Sequence, residues 1–340
     1  MSARTLPSPA ERPAEPEAPV TSAQGWKRHP PGPELWMGVG ILAFYLVVAL
    51  SALVVFRSSL TTLVSNPAWV RPIVLGPNWN EPFGVMPGFG INILTGLWQA
   101  TPWDLAIVVS ILAIDTSLGA LLGSYAGANE GGRVDMVLTF VCDSLGSIPS
   151  VFLVVVVFAG AALVAPPRDT LLIFVVLFGV VLWPTTARTV REKARIVVHE
   201  PYVESARAAG AGSRHVLLRH VLPNSLEPIL AQIPIDVIAV FFVLTVFPWF
   251  AAYTAPPPPP PPQVPPLYYV PVLPAFSPLP SPVFPEWGYL LGIGSFQAFT
   301  FPSGPIYWWM FLFPLVAIVG FGLGVAFLCD GLARWLRFGL

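Results

Sequence analysis

Charge is what this 340-residue chain has least of. Asp, Glu, Lys and Arg make up 10% of it, against about a quarter of a soluble globular domain. That shortfall excludes an ordinary soluble enzyme. It also excludes a chain disordered throughout, which would be charged and poor in apolar residues. The formal net charge is −1, so there is no basic surplus of the kind that holds nucleic acid. Cysteine is nearly missing. Cys142 and Cys329 cannot build a disulfide framework, and no CxxC or Cys/His cluster points to a metal. His199, His215 and His220 have no metal-site spacing and read as solvated or interface residues. No GK[ST] phosphate loop, GxSxG elbow or HExxH pair occurs. The expectation is a non-catalytic chain that needs no cofactor.

What the chain has is apolar residues and proline. Hydrophobic residues make up 55%, mean hydropathy is +0.71, and 41 residues are proline. A spanning helix needs about 20 mostly apolar residues. Six runs qualify: Leu35–Phe56, Leu105–Gly127, Val134–Val164, Leu171–Val190, Ile229–Phe250 and Ile306–Leu328. The third is too long for one straight helix, so a tilt, or a kink near Pro149, is expected. The predicted class is therefore an all-α polytopic membrane protein of six spans.

Basic residues orient it. Six spans put both termini on one side. With them fall Arg4, Arg12, Lys27, Arg28, Arg133, seven basic residues after the fourth span, Arg334 and Arg337. The other side receives only Arg57, Arg71 and Arg168. The positive-inside rule places both termini in the cytoplasm. Residues 1–34 then form a disordered cytoplasmic arm, and 57–103 an external segment. Residues 251–305 form a second external loop, in which Pro256–Pro262 are seven consecutive prolines. Such a run holds polyproline II geometry without internal hydrogen bonds and cannot span lipid. The loop either offers a surface to an external partner or covers the protein's own face. Tyr307, Trp308 and Trp309 read as an interfacial aromatic belt.

The segment 191–223, between the fourth and fifth spans, predicts a helix, a turn and a second helix. Pro201 suits a first helical turn. Tyr202–Ala209 contains good helix formers. Gly210 and Gly212 supply a turn, Ser213 is the expected N-cap of a helix through Val221, and Pro223 leads into the next span. A short helix held between two spans is well placed to dock another protein.

Glu204-Ser205-Ala206, then Gly210, then Leu222-Pro223 resembles the Glu-Ala-Ala loop of binding-protein-dependent ABC importers, with Ser205 in place of the first Ala. The strings Tyr202–Ala211 and Arg219–Asn224 are most similar to the C-type permease of the dipeptide/oligopeptide/nickel branch. Pro285-Glu286-Trp287-Gly288 before the last span, Asp330-Gly331-Leu332 after it, and Val141-Cys142-Asp143 with Ile148-Pro149-Ser150 agree. The resemblance covers residues 104–250 and 285–337. It implies a permease of the inner membrane that pairs with a second homologous permease, and two ABC ATPase subunits beneath. Each ATPase would receive one loop helix, and an external binding protein would deliver a peptide. Tyr202, Glu204, Ser205, Ala206, Gly210, Leu222 and Pro223 would form the coupling loop. Membrane lipid would be the remaining partner, and nucleic acid none.

Two external regions depart from that pattern: Phe83–Asn92, which lacks the branch's charged positions, and Phe247–Phe250 followed by the proline run. They keep open a structural membrane subunit recruited from this family. Asp115, Asp143 and Asp236 fall within spans, where a charge costs about 2.5–3.5 kcal/mol on insertion scales. They are candidates for a polar path for a peptide amine, and Asp115 with Asp236 would also suit an ion- or proton-coupled carrier. The alternative is that each caps a kinked helix or bonds a neighbouring hydroxyl such as Thr116, Thr139 or Ser144. For Asp143 that structural reading is preferred. Cys142 and Cys329 read as packing residues.

Overall fold

The computed structural model describes residues 31–58, 76–86, 91–149, 152–153, 156, 170–254, 286–300 and 307–335. The N-terminal arm up to residue 30, most of the second half of the expected third span and the proline-rich stretch lie outside the described residues. Five described helices are long and apolar enough to cross a membrane. They are α1 (Pro33–Val55), α2 (Ile93–Ala128), α4 (Thr170–Val197), α8 (Glu227–Thr254) and α10 (Trp309–Trp335). They match the first, second, fourth, fifth and sixth expected runs. For the third, only α3 (Arg133–Gly146) and a few residues after it are described.

Two boundaries differ from expectation. Helix α2 begins at Ile93, twelve residues before Leu105, and passes through Pro102. At about 1.5 Å per residue its 36 residues reach about 54 Å. Asn92 starts it, its side chain accepting the Thr95 N–H at 3.0 Å. Secondly, part of the expected external loop is helical: α9 (Trp287–Thr300) packs on α8 and α10. A two-residue hairpin, β1 (Val85–Met86) with β2 (Ile91–Asn92), precedes α2. It meets the start of α10, where the Trp309 indole donates to the Val85 carbonyl at 3.3 Å and Phe83 stacks on Phe313 at 4.1 Å.

Small residues set the closest approach. Gly119, Gly123 and Gly127 recur every fourth position, on one face of α2, the face turned to α4. A Cβ at Gly119 would stand 2.6 Å from Thr186, and one at Gly123 or Gly127 2.5 Å from the carbonyl oxygen of Ala187 or Arg191. Inside lipid there is no hydrophobic drive between helices, so such close contact supplies the packing energy. Helices α1 and α10 pack in the same way, with Gly38 against the backbone of Leu328.

The core centres on Trp287, which is 1% exposed. Its ring lies 5.3 Å from Tyr45 of α1, 5.7 Å from Phe241 of α8 and 5.9 Å from Phe321 of α10. Its indole donates to the Leu97 carbonyl of α2 at 3.1 Å. One side chain thus touches four spans.

Two measurements check this packing. Gly123→Leu is expected to force α2 and α4 apart at a cost of about 1–3 kcal/mol, whereas Gly40→Ala, with open space around it, is expected to be silent. Fluorescence-detected size exclusion of the two variants in detergent reads the difference; equal monodisperse yields would refute the packing. Trp287→Ala is expected to lose about 3–5 kcal/mol, and Trp287→Phe distinctly less, in thermal unfolding of the solubilised chain.

Candidate functional site

The loop between α4 and α8 is the most distinctive surface of the described structure. Helix α5 (Pro201–Ala208) begins with Pro at its first turn, as expected. One side chain, Val203, anchors it. Val203 is fully buried in a small apolar cluster with Ala194, Val197 and Val198 from the end of α4 and Val216 and Val221 from the next segment. The rest of the helix faces outward: Tyr202, Glu204, Ser205 and Arg207 are exposed and Ala206 is half-buried. Ser205 donates back to the Pro201 carbonyl at 2.8 Å. Burial, and then the nearby Glu200 carboxylate, hold the Tyr202 phenol above its ordinary value. It therefore presents a neutral hydroxyl to this surface.

Gly210 ends the helix with φ +88°, the left-handed conformation that side-chain-bearing residues resist. The second helix is segmented. Its first turn, α6 (Ser213–Val216), is followed by a widened π-type turn over Leu217–Val221 and by α7 (Leu222–Asn224). The expected N-cap is corrected here. Gly212 occupies that place in extended conformation, Ser213 is already helical, and no side-chain cap forms. The π turn was not legible in the sequence, although Pro223, which has no N–H to donate, stands just after it. The Asn224 amide donates to the His220 carbonyl at 2.6 Å. His220 also lies 5.8 Å from His215 and 6.3 Å from Tyr202, ring to ring.

The loop is fastened to the spans by polar contacts. Ser124 of α2 and Ser225 share a hydrogen bond of 3.1 Å, and both are buried. Lys193 of α4 pairs with Glu227 of α8 at 2.9 Å. Arg191 grips Asp135 of α3 through two nitrogens, at 2.5 and 3.1 Å, and Arg195 pairs with Glu130. These contacts join α2, α3, α4 and α8 at the end of the bundle that carries the loop.

The structure divides the three carboxylates expected within spans. Asp143 is exposed and pairs with Arg188 of α4 at 2.7 Å. Its partner is neither Ser144, which donates to the Phe140 carbonyl, nor Thr139. Asp115 of α2 and Asp236 of α8 are brought together, buried and within hydrogen-bonding reach of each other. Thr186 donates to Asp115 at 3.2 Å and Gln232 to Asp236 at 2.9 Å. Thr116, the hydroxyl nearest Asp115 in sequence, turns instead to the Leu112 carbonyl.

A second acidic pair escaped the sequence reading. Asp104 of α2 is fully buried and accepts the Trp287 backbone N–H, at 3.0 Å to one oxygen and 3.3 Å to the other. Beside it stands Glu286, whose carboxyl takes the N–H groups of Tyr289 and Gly288 at the start of α9. Burial pushes the Glu286 carboxyl above the usual carboxylate range, and those N–H groups oppose the shift. The signal was present: Asp104 is a charge inside an apolar stretch once α2 is started at Ile93.

Residues 119–256 match the family described as "Binding-protein-dependent transport system inner membrane component". These residues run from the glycine stripe of α2 through the loop to the end of α8. Similar proteins are peptide-transport permeases by name. A Brucella suis biovar 1 protein, named for a peptide transport system as its permease, is 26% identical over 291 residues, covering 86% of this chain and 84% of its own length. The dipeptide transport system permease protein DppC of Alkalihalophilus pseudofirmus is 26% identical over 238 residues, 68% of this chain and 73% of its own. That of Bacillus subtilis is 26% identical over 222 residues, 64% of each. The apolar helices make this a multi-pass membrane protein, and the matched core and these relatives make it similar to permeases of the binding-protein-dependent transport family, in its peptide branch.

Proposed function

We propose that the chain is one of two permease subunits of an ATP-driven ABC importer of peptides in a bacterial cytoplasmic membrane. It crosses the bilayer six times, with α3 beginning the third span and both termini in the cytoplasm. A second, homologous permease completes the path, and an external binding protein delivers the substrate. Two cytoplasmic ATPase subunits drive the cycle, one of them receiving α5. The chain itself performs no catalysis.

One observation carries this reading. Helix α5 is anchored by Val203 alone and leaves Tyr202, Glu204, Ser205 and Arg207 open to a partner. A free helix of eight residues would not hold its shape in water. Here the cluster beneath holds it, and a groove on an ATPase would close over its outer face. The contacts of the loop with α2, α4 and α8 supply a rigid link from that groove to the spans, as rigid-body alternation between inward and outward states requires.

Glu204→Arg reverses the charge on the docking face, and Gly210→Val strains the turn at φ +88° by about 1–2 kcal/mol. Each is expected to lower ATP hydrolysis stimulated by loaded binding protein at least tenfold in the reconstituted importer, with membrane insertion unchanged. Wild-type stimulation in both variants would reject α5 as the coupling helix and favour a structural subunit of another complex.

A further inference from the structure

The described bundle has a seam. On one side α2 and α4 are locked by the glycine stripe; on the other, α8, α9 and α10 pack on one another. Direct contacts of α2 with α8 and α9 are sparser. Both buried acidic pairs lie across that seam, Asp115 with Asp236 between α2 and α8, and Asp104 with Glu286 between α2 and the start of α9.

Asp115 is 0% exposed and Asp236 2%. Each carboxyl has one oxygen satisfied, Asp115 by Thr186 and Asp236 by Gln232. The other two oxygens, Asp115 Oδ1 and Asp236 Oδ2, receive no hydrogen bond from any described group. Neither carboxyl has an ion pair among the described residues. The nearest cations along α4 are already engaged, Arg188 by Asp143 and Arg191 by Asp135. The groups that face the pair are thus Thr186 from α4 and Gln232 from α8, and neither titrates.

Two ionised carboxylates in contact repel, and where burial removes water nothing else here offsets that repulsion. A single proton removes one charge and lets the two carboxyls share an O–H···O bond of the strong, charge-assisted kind. We propose that Asp115 and Asp236 form a proton-binding site, and that the proton held between them ties α2 to α8 across the seam. Uptake makes one O–H bond at the expense of one in hydronium, with no electron transfer. Loss of the proton leaves two like charges pushing the two halves apart. Asp104 and Glu286 are a second buried acidic pair nearer the hairpin end, although both Asp104 oxygens accept the Trp287 N–H. Glu286 Oε2 is likewise buried and unpartnered, with Asp104 and Tyr289 as the titratable groups beside it. The site stands on the chain's own helices and does not depend on which substrate is carried.

The test is infrared spectroscopy of the full-length chain, purified from its native membrane in lipid nanodiscs with its co-purifying subunits. At neutral pH the carbonyl stretch of a protonated carboxylic acid, shifted on exchange into heavy water, is expected. Its intensity should drop in Asp115→Asn and in Asp236→Asn and stay unchanged in Asp143→Asn, the remainder coming from Asp104 and Glu286. The folded state then holds a proton that the unfolded chain releases in the ordinary carboxylate range, so stability should fall as pH rises past that range. That fall should be weaker in either Asn variant, whose amide donates without titrating. A band of unchanged intensity in both variants, or no such band at any pH, would overturn the proposal. So would a pair that responds to sodium against choline chloride and not to pH, which would make it a cation site.

Discussion

The Trp287 backbone N–H reaches into a carboxylate that water does not reach, that of Asp104. This contact fixes the start of α9 against α2, and from there the indole is placed among Tyr45, Phe241 and Phe321. An aromatic ring can make several such contacts only where its backbone is held, because each edge-on or offset arrangement tolerates little displacement. Without the Asp104 anchor the large apolar ring would still be buried, but only its indole bond to the Leu97 carbonyl would direct which spans it joined. The apolar burial supplies the driving force, and the polar contact supplies the register.

The two ends of the bundle use different chemistry. At the hairpin end, aromatic stacking and indole hydrogen bonds join the start of α10 to the strands before α2. At the loop end, ion pairs and a serine–serine bond join α2, α3, α4 and α8 around an exposed helix that a single valine secures. Charged groups can be satisfied there because they lie beyond the apolar middle of the spans, where an unpaired charge is costly. Between these ends the helices meet through glycine and through carboxyl pairs. A helix carried by so few apolar contacts depends on the spans beneath it for its shape.

Much of this was legible beforehand. The spans followed from length and hydropathy, since a bilayer admits little but apolar helix. Helix α5 and its Gly210 turn followed from local preference, which a short exposed helix obeys. The exceptions are instructive. Helix α2 runs back through Thr101, Pro102 and Asp104, residues that argue against a span, because Trp287 meets the Leu97 carbonyl and the Asp104 carboxylate on either side of that turn. Helix α9 was read as loop because fourteen residues are too few to cross a membrane. Ser213 lost the cap position to Gly212, since the segment's contacts, through Val216 and Val221, set where it turns.

The sequence by itself determined that this is a helical membrane chain, where five of its described spans lie, and that a helix–turn–helix loop of the permease kind joins two of them. Those properties depend on composition, periodicity and nearest neighbours along the chain. Only the tertiary structure decided that Asp115 meets Asp236, that Asp104 meets Glu286, and that Asp143 meets Arg188 instead. The members of each pair stand between 45 and 182 positions apart in sequence. No local preference encodes such a meeting; it is set by which faces of which helices the packing brings together.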